Sequence, residues 1–404
     1  MPRIVTGPFH PTLELALVEE VRSLKRGDPF ASLAIVVPST PLANRIKRFL
    51  AIESQLSLIN CSIMTFHQFA LRLRDDLLAV GEPLPPMQLV DDFYFEQLVR
   101  HVVEQQLPGL EIMGRLSSAP GTWSALWSTL RDLKDAAVVP STVLNALTEG
   151  LFDKEDSPWL QGLFMLEAAV REGGRSLAIG SADDLLSTLR DALPRSTFFM
   201  GLKRICYYGF YDFLQLQLSF LEAITHHAPV TMFVPVESTA PYVFARRFFD
   251  RHLLAWTESP ELRDRHDSNV RTHVPLTVTN VIGVEEELAT VCREILSLVE
   301  AHGYHFEDIG VVARSLDPYR RRLRAVFDRH LIPFTSTTGQ PLSREPLAKA
   351  ILRLASLSVN DFERSALLDV VTSPFYRVRG RDCPGVAPRQ DQWRIAVSTL
   401  GITR

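Results

Sequence analysis

The chain has 404 residues, 46% of them apolar and 22% charged, which is ordinary globular material and enough for two or three domains with separate cores. A net charge of −4 supplies no global attraction for nucleic acid, so any groove for a polyanion must be local. Cys61, Cys206, Cys292 and Cys383 form no CxxC or Cys/His cluster, and the first three sit in apolar runs, so they read as core residues rather than ligands or disulfides, and a reducing cytoplasm fits best. No apolar run reaches the roughly 18 residues of a membrane helix, and no signal-peptide pattern precedes the first strand.

Arg3 to Thr6 reads as a short strand closed by Gly7, and Thr12 as the cap of a helix with Leu13, Ala16, Leu17, Val21 and Leu24 on one face. This is the strand-loop-helix layout of a phosphate loop, GxxxxGK[ST], in which backbone N–H groups cradle phosphates, lysine reaches the outer ones and a hydroxyl holds magnesium. Aligned from Gly7 the chain reads GPFHPTLE. Thr12 stands at the second glycine, Leu13 at the lysine and Glu14 at the hydroxyl, and Pro8 and Pro11 remove two N–H donors. A carboxylate ~4 Å from a phosphate charge costs roughly 4 kcal/mol at an effective dielectric near 20, so productive ATP binding is not expected. The first strand and helix of any α/β protein is the plainer reading of these residues alone.

Ala34 to Val37 is the next strand, closed by Pro38-Ser39 and followed by a basic helix with Arg45, Lys47 and Arg48. Ile63-Met64-Thr65 leads into Phe66-His67-Gln68-Phe69-Ala70. His67 beside an apolar helix reads as a polar core residue, and the three cations as a solvated face. From Leu71 to about Leu193 the pattern is almost wholly helical, with segments at Val90–Val103, Trp123–Leu133 and Pro158–Ala169. Trp123, Leu126, Trp127 and Leu130 form one stripe, which at that spacing is core rather than a stacking platform. Punctuation at Pro83–Pro86, Ser117–Gly121 and Arg171–Arg175 separates the helices.

The chain returns to strand at Ile205–Tyr208, continues through Gly209-Phe210-Tyr211-Asp212 to a helix through Leu221 and Ile224, with Asp212 as its cap, and enters another strand at Val230–Val234. Glu258 to Pro275 is polar, charge-rich and aperiodic, as a linker is. Val278–Val281 reads as a strand. Glu285, Glu286 and Glu287 open a helix carrying Leu288, Val291, Ile295, Leu298 and Val299, which His302-Gly303 stops. Ile309–Ala313 reads as a buried strand ending at Arg314, and Pro318–His330 as a helix with Tyr319, Leu323, Val326 and Phe327 on one stripe. After Ile332-Pro333-Phe334, Thr335–Gln340 is a loop, and Pro346–Leu357 and Phe362–Val371 read as helices before Ser373-Pro374-Phe375.

The stretch EEELATVCREILSLVEAHGYHFEDIGVVARSLDPYRRRLRAVFDRHLIPF resembles, over about fifty residues, the start of the second motor domain of superfamily 1 helicases. It is most similar to the helicase-like B subunits of the AddAB and RexAB helicase-nucleases and their relative RecC. The order VVPS, basic helix, TFHQFA resembles motifs Ia and Ic, which lie along single-stranded DNA in active relatives. Gly209-Phe210, with Gln217, resembles the GF..F...Q form that replaces the DExQD acid pair in AddB-like subunits. Pro235-Val236 stand where active relatives carry Gly-Asp, and Arg314 matches the motif IV arginine that reaches the outer phosphate. Trp393 and Leu400-Gly401-Ile402 have counterparts in the family's 2B domain.

The resemblance implies an α/β, P-loop NTPase-like (RecA-like) parallel-sheet motor fold with a large helical insertion, followed by the start of a helical 2B-type domain. Residues 1–75 and 194–257 are then domain 1A, 76–193 the 1B-like insertion, 258–275 the linker, 276–340 the first part of domain 2A and 341–404 the start of 2B. It covers nearly all of this chain and the first third to half of a family member, and a PD-(D/E)XK exonuclease with its 4Fe-4S cluster and magnesium is expected only beyond Arg404. No ATP or magnesium cofactor is expected in this chain. The implied function is a catalytically inactive DNA-binding scaffold that grips single-stranded or forked ends for a motor and nuclease A-type subunit in double-strand-break repair. Groove candidates are Arg45, Lys47, Arg48, His67, Arg246, Arg247, Arg320, Arg321, Arg322 and Arg324, with Gly7, Thr12, Leu13, Glu14, Gly209, Phe210 and Arg314 as the degenerate nucleotide site. The alternatives are an active ATPase helicase with an atypical pocket, needing Lys25 or Lys47 from another element, and an unrelated α/β protein binding a small phosphorylated ligand at Gly7 to Thr12.

Overall fold

Runs of apolar and β-branched residues pair into strands in this computed structural model, which describes residues 2–105, 121–153, 157–236, 242–256, 261–262, 276–336, 342–376 and 390–401. The strands are β1 (Arg3–Gly7), β2 (Leu33–Val37), β3 (Cys61–Thr65), β4 (Gln88–Leu89), β5 (Ile179–Gly180), β6 (Arg204–Tyr208), β7 (Val230–Pro235) and β8 (Glu261–Leu262). Six form one sheet in the order β3-β2-β6-β7-β1-β8, every pairing parallel. The five expected strands of this sheet all form, with ends within two residues of the sequence reading. The chain divides into two units, Met1–Arg271 and Thr272–Arg404.

Parallel neighbours need crossovers, and helices α1 (Glu14–Gly27), α2 (Thr40–Arg48) and α3 (Phe66–Ala79) supply the first of them. Alternation along the strands then assigns the faces. Val5, Leu33, Ile35, Val37, Cys206, Tyr208 and Phe233 join one core with residues of α1 and α2. Ile4, Ala34, Val36, Ile205, Tyr207, Met232 and Val234 join the other, with α3 and the helices Ala182–Arg190 and Gln215–His227. Because both faces are covered, the strands read as unbroken apolar runs instead of alternating ones.

The block after α3 is helical as expected: α4 (Asp92–Gln105), then Thr122–Asp135, Pro140–Thr148, Ser157–Ser176 and Ala182–Arg190. The tryptophan stripe is core. Trp127 stacks on Phe95 with centroids 4.3 Å apart, and its Nε1–H donates to Asp92 Oδ1 at 2.7 Å. Two features correct the sequence reading. Arg171–Arg175 does not break the chain but lies inside Ser157–Ser176, because α4 approaches closely there: a Cβ on Gly173 would stand 3.1 Å from Leu98 Cδ1. The block also contains the small parallel pair β4-β5. Residues 117–120 of the expected break lie outside the described residues, as do most of the expected linker and Cys383. Within that linker, Glu261 and Leu262 instead extend the sheet at the edge of β1. Cys206 and Cys292 are buried, and burial pushes the Cys61 thiol up to about 11.

In the second unit, the helix Gly283–His302 buries Leu288, Cys292 and Ile295 against Val326, Phe327 and Ile332, and Gly303 ends it at a φ of 72°. The three glutamates separate by partner. Glu285 faces Arg322 and Arg329, Glu286 takes Arg293, and Glu287 accepts a hydrogen bond from the Tyr319 hydroxyl at 2.9 Å. Two expectations fail here. Val278–Val281 and Ile309–Ala313 join no strand ladder among the described residues, and Val278 and Val312 are 86% and 94% exposed. β-branched composition favours extended backbone, but a strand exists only where a second one supplies its hydrogen bonds. The helix expected from Pro318 is confined to Leu323–Arg329, after a run of turns. Helices Pro346–Ser356 and Arg364–Val371 form where expected, and Trp393 lies on Gln390–Thr399. Among the described residues no helix is long and apolar enough to cross a membrane.

Candidate functional site

Parallel strands bring all their carboxyl ends to one edge, which is where open α/β sheets hold ligands. At that edge β1 runs into the loop expected to resemble a phosphate cradle. Phe9–Leu13 makes one wide turn, closed by Leu13 N–H donating to Pro8 O at 3.1 Å, and α1 then starts at Glu14. Thr12 therefore does not cap the helix: it lies inside the turn, and the cap position falls to Leu13. Leu13, at the lysine position, is fully buried in the core beneath α1.

Glu14, at the hydroxyl position, is 1% exposed and compensated by the protein itself. Its Oε1 accepts from Arg45 Nη2 at 2.5 Å and Arg45 Nε at 3.2 Å, while Oε2 lies 2.5 Å from His10 Nδ1. Burial pushes the nearby Tyr208 hydroxyl upward, and the Glu14 charge adds to the effect. Arg45, anticipated as a groove cation, is thus engaged by this internal carboxylate.

Facing the loop, β6 leads into Gly209-Phe210, expected from the sequence to stand in the place of an acid pair. Phe9, from inside the loop, packs there instead, 5.4 Å from Tyr208 between ring centroids. Gly209 adopts a φ of +81°, and a Cβ on it would lie 3.0 Å from Leu42 Cδ2 and 3.1 Å from the Phe9 ring. Phe210 turns into the opposite core, stacked on Phe213 at 4.7 Å and against Phe66 and Tyr207. Asp212 does not cap the next helix as expected. That helix begins at Gln215, Leu214 holds the cap position, and Gln217 Oε1 accepts the Leu214 N–H at 3.2 Å. Phe9 and Leu42 thus stand against Gly209, beside the Glu14–Arg45 pair.

The expected groove cations fall in both units. In the first, Lys47 and Arg48 are exposed on the last turn of α2, and Arg247 is exposed, none with an ion pair among the described residues, while Arg246 lies 3.9 Å from Asp250. His67 is exposed at the start of α3, facing the charge of Asp183, so it is no core residue: Thr65 and Gln68 cap the helix reciprocally and turn His67 outward. In the second unit Arg314 and Arg321 are exposed, and Arg320, Arg322 and Arg324 pair with Asp317, Glu285 and Asp328 at 3.0, 3.6 and 3.7 Å.

The structure adds side chains that the sequence reading missed. Tyr211, just past β6, lies 5.7 Å from Phe244 and 6.3 Å from Tyr242, both just past the neighbouring β7, and Phe244 is 55% exposed. Phe248 follows, 4.9 Å from the His252 ring. The signal was available in YVFARRFF, where aromatic residues flank Arg246 and Arg247. Rings and cations on one surface are the elements that bind single strands.

The fold and this edge define an α/β protein with a parallel sheet, whose first strand-loop-helix turn carries Leu13 and Glu14 where a phosphate loop has a lysine and a hydroxyl. No family model matches the chain. It is 23% identical to the B subunit of the ATP-dependent helicase/deoxyribonuclease from Bacillus pumilus, over 89% of this chain and 34% of that protein. The proteins of the same name from Symbiobacterium thermophilum and Exiguobacterium sibiricum are each 22% identical, over 92% and 91% of this chain and 34% of theirs. The chain is a distant homologue of these B subunits and spans about a third of the length of these curated relatives.

Proposed function

We propose that the chain is a DNA-binding, nucleotide-independent scaffold: the RecA-like motor fold of a helicase-nuclease B subunit, retained as a grip on DNA after its ATPase chemistry was lost. The observation that carries this reading is the filled phosphate site. Phosphates need N–H donors, a lysine and a metal-holding oxygen. Here Phe9 occupies the approach to Gly209, Leu13 is core, and Glu14, an acceptor already taken up by Arg45, offers a phosphate no donor. The residues present do not suit magnesium or ATP, and no catalytic step is assigned to them.

The DNA-facing part of the reading is supported by Lys47, Arg48 and Arg247, exposed without ion-pair partners among the described residues, and by the Tyr211, Tyr242 and Phe244 rings. Arg314 and Arg321 are the corresponding exposed cations of the second unit. Exposed cations of this kind contact phosphates and exposed rings stack on bases, both with little sequence preference. By likeness to relatives named as B subunits of an ATP-dependent helicase/deoxyribonuclease, the partner is an A-type motor subunit, and the setting is cytoplasmic processing of DNA ends for recombinational repair. The test is titration of the chain with single-stranded and forked DNA at two salt concentrations, with and without ATP and magnesium. Salt-sensitive binding indifferent to ATP is expected, and ATP-dependent affinity or phosphate release would overturn the reading.

A further inference from the structure

The helical block and the sheet layer meet where the ends of two helices are joined. Helix Thr122–Asp135 packs Trp127 and Leu130 into the core of the block, and helix Ala182–Arg190 packs Leu185, Leu186 and Leu189 into one core of the sheet. Lys134 links them: its Nζ donates to Ser181 Oγ at 2.7 Å and lies 2.6 Å from Asp184 Oδ2. Both residues flanking this bridge are also carboxylates, Asp135 after Lys134 and Asp183 before Asp184. Neither has an ion pair among the described residues: the ammonium serves Asp184, and Arg131 is taken by Asp92 of α4 at 2.8 Å. Asp135 Oδ1 is buried with no hydrogen-bond partner among the described residues. The joint therefore holds more carboxylate than its cations neutralise, and a buried acceptor without a donor is costly.

Charged groups face the two carboxyls from each neighbouring element: Arg131, Asp132 and Lys134 on the first helix, Asp184 on the second and His67 on α3. Burial is the largest influence on both and pushes both above the ordinary carboxyl value. At Asp135 the Asp183 charge adds to it, against Arg131 and Lys134. At Asp183 Lys134 opposes it, Asp184 adds to it, and His67 and Arg131 oppose.

We propose that this joint is a proton-operated catch: Asp135 and Asp183 take up one proton between them, and the helical block is held more firmly to the sheet layer in mildly acid solution than at pH 7. With both ionised, the joined helix ends repel. One proton removes that repulsion and eases the burial of Asp135 while the Lys134–Asp184 bridge stays in place. A carboxyl raised in the folded state binds protons more readily there than in the unfolded chain. Its contribution is fully present below the unfolded value, about 3.9, and is lost as pH rises through the folded one.

Hydrogen–deuterium exchange of the intact chain at pH 7 and about pH 4.5, corrected for intrinsic rates, tests this. Peptides covering 122–135 and 182–190 should exchange severalfold more slowly at the lower pH. The segment Thr197–Gly201, held by hydrogen bonds to Asp76, should show no such slowing and serves as an internal reference. Asp135→Asn and Asp183→Asn should each exchange slowly already at pH 7, with little further change on acidification. The double variant should add little to either, because the pair takes up one proton. His67→Gln should keep the pH response, which assigns the proton to the carboxyls. Equal exchange of the wild-type peptides at both pH values overturns the proposal, as does a pH response that survives in both Asn variants. Faster exchange of both Asn variants at both pH values would show that ionised carboxylates hold the joint, the opposite of this mechanism.

Discussion

Glu14 Oε1 and Arg45 Nη2 lie 2.5 Å apart across 31 residues of sequence, joining the first turn of α1 to the last turn of α2 beside the loop that follows β1. One partner is almost wholly buried and the other is 56% exposed. The pair holds a carboxylate at the foot of the loop that follows β1. Arg45→Ala strands that carboxylate with His10 alone. Loss of one partner of a fully buried pair costs about 3–5 kcal/mol, and screening of the exposed arginine lowers the expected loss to about 2 kcal/mol. Urea unfolding measures it, and Glu14→Leu/Arg45→Ala should recover part of the loss; an unchanged midpoint in Arg45→Ala would show that the pair contributes nothing.

Restoring an acid at the end of β6 should damage the fold and leave ATP binding absent. In Gly209→Asp the new side chain meets a φ of +81° and the crowding of Leu42 and Phe9. The backbone term alone costs about 1–2 kcal/mol. A thermal scan should show a clear drop in Tm with no added response to ATP and magnesium.

Asp76 ties α3 to the point where the chain returns from the helical block. It accepts from Ser196 Oγ at 2.6 Å, Thr197 Oγ1 at 2.8 Å and Phe198 N–H at 3.0 Å. Desolvation raises its pKa, but these donors together outweigh it and hold the carboxyl below its ordinary value. A depressed folded pKa contributes stability that is fully present above the unfolded value, near 3.9, and is lost as pH falls through the folded pKa. Asp76→Asn should therefore be less stable at pH 7, with its gap to wild type narrowing below about pH 4. Parallel chemical unfolding at pH 7 and pH 3 would show this, and a gap independent of pH would contradict the ionised form of Asp76.

Stacking and phosphate contacts predict different salt behaviour at the proposed DNA-binding face. Phe244→Ala should cost about 1–3 kcal/mol of single-strand affinity with the salt slope unchanged. Arg247→Glu should weaken binding mostly at low salt and flatten the slope. Fluorescence anisotropy across a salt series separates them, and an unaltered affinity in both variants would remove this surface from the proposed function.

The order of strand, helix and strand in the first unit was legible in the sequence because those signals are local. Apolar runs too short for helices, bounded by Gly7, Pro38 and Pro235, mark strands, and three-and-four spacing marks helices wherever a face is buried. The departures from the phosphate-loop and acid-pair patterns at Leu13, Gly209 and Phe210 were equally plain, since each is a residue identity at a fixed place. Other outcomes required partners far along the chain. Glu14 is compensated because α2 sets Arg45 beside it, and Phe9 fills the site because β6 ends against its loop. Gly173 and Gly174 look like a break in sequence but stay helical, with Leu98 of α4 packed against Gly173. Val278–Val281 and Ile309–Ala313 have strand composition yet form no ladder among the described residues, because composition biases the backbone while hydrogen-bond partners decide whether it becomes a strand. Sequence by itself determined the order of elements in the first unit and the residue identities around the β1 loop and the end of β6; the tertiary structure decided what surrounds them, since non-local packing alone settles which side chains meet.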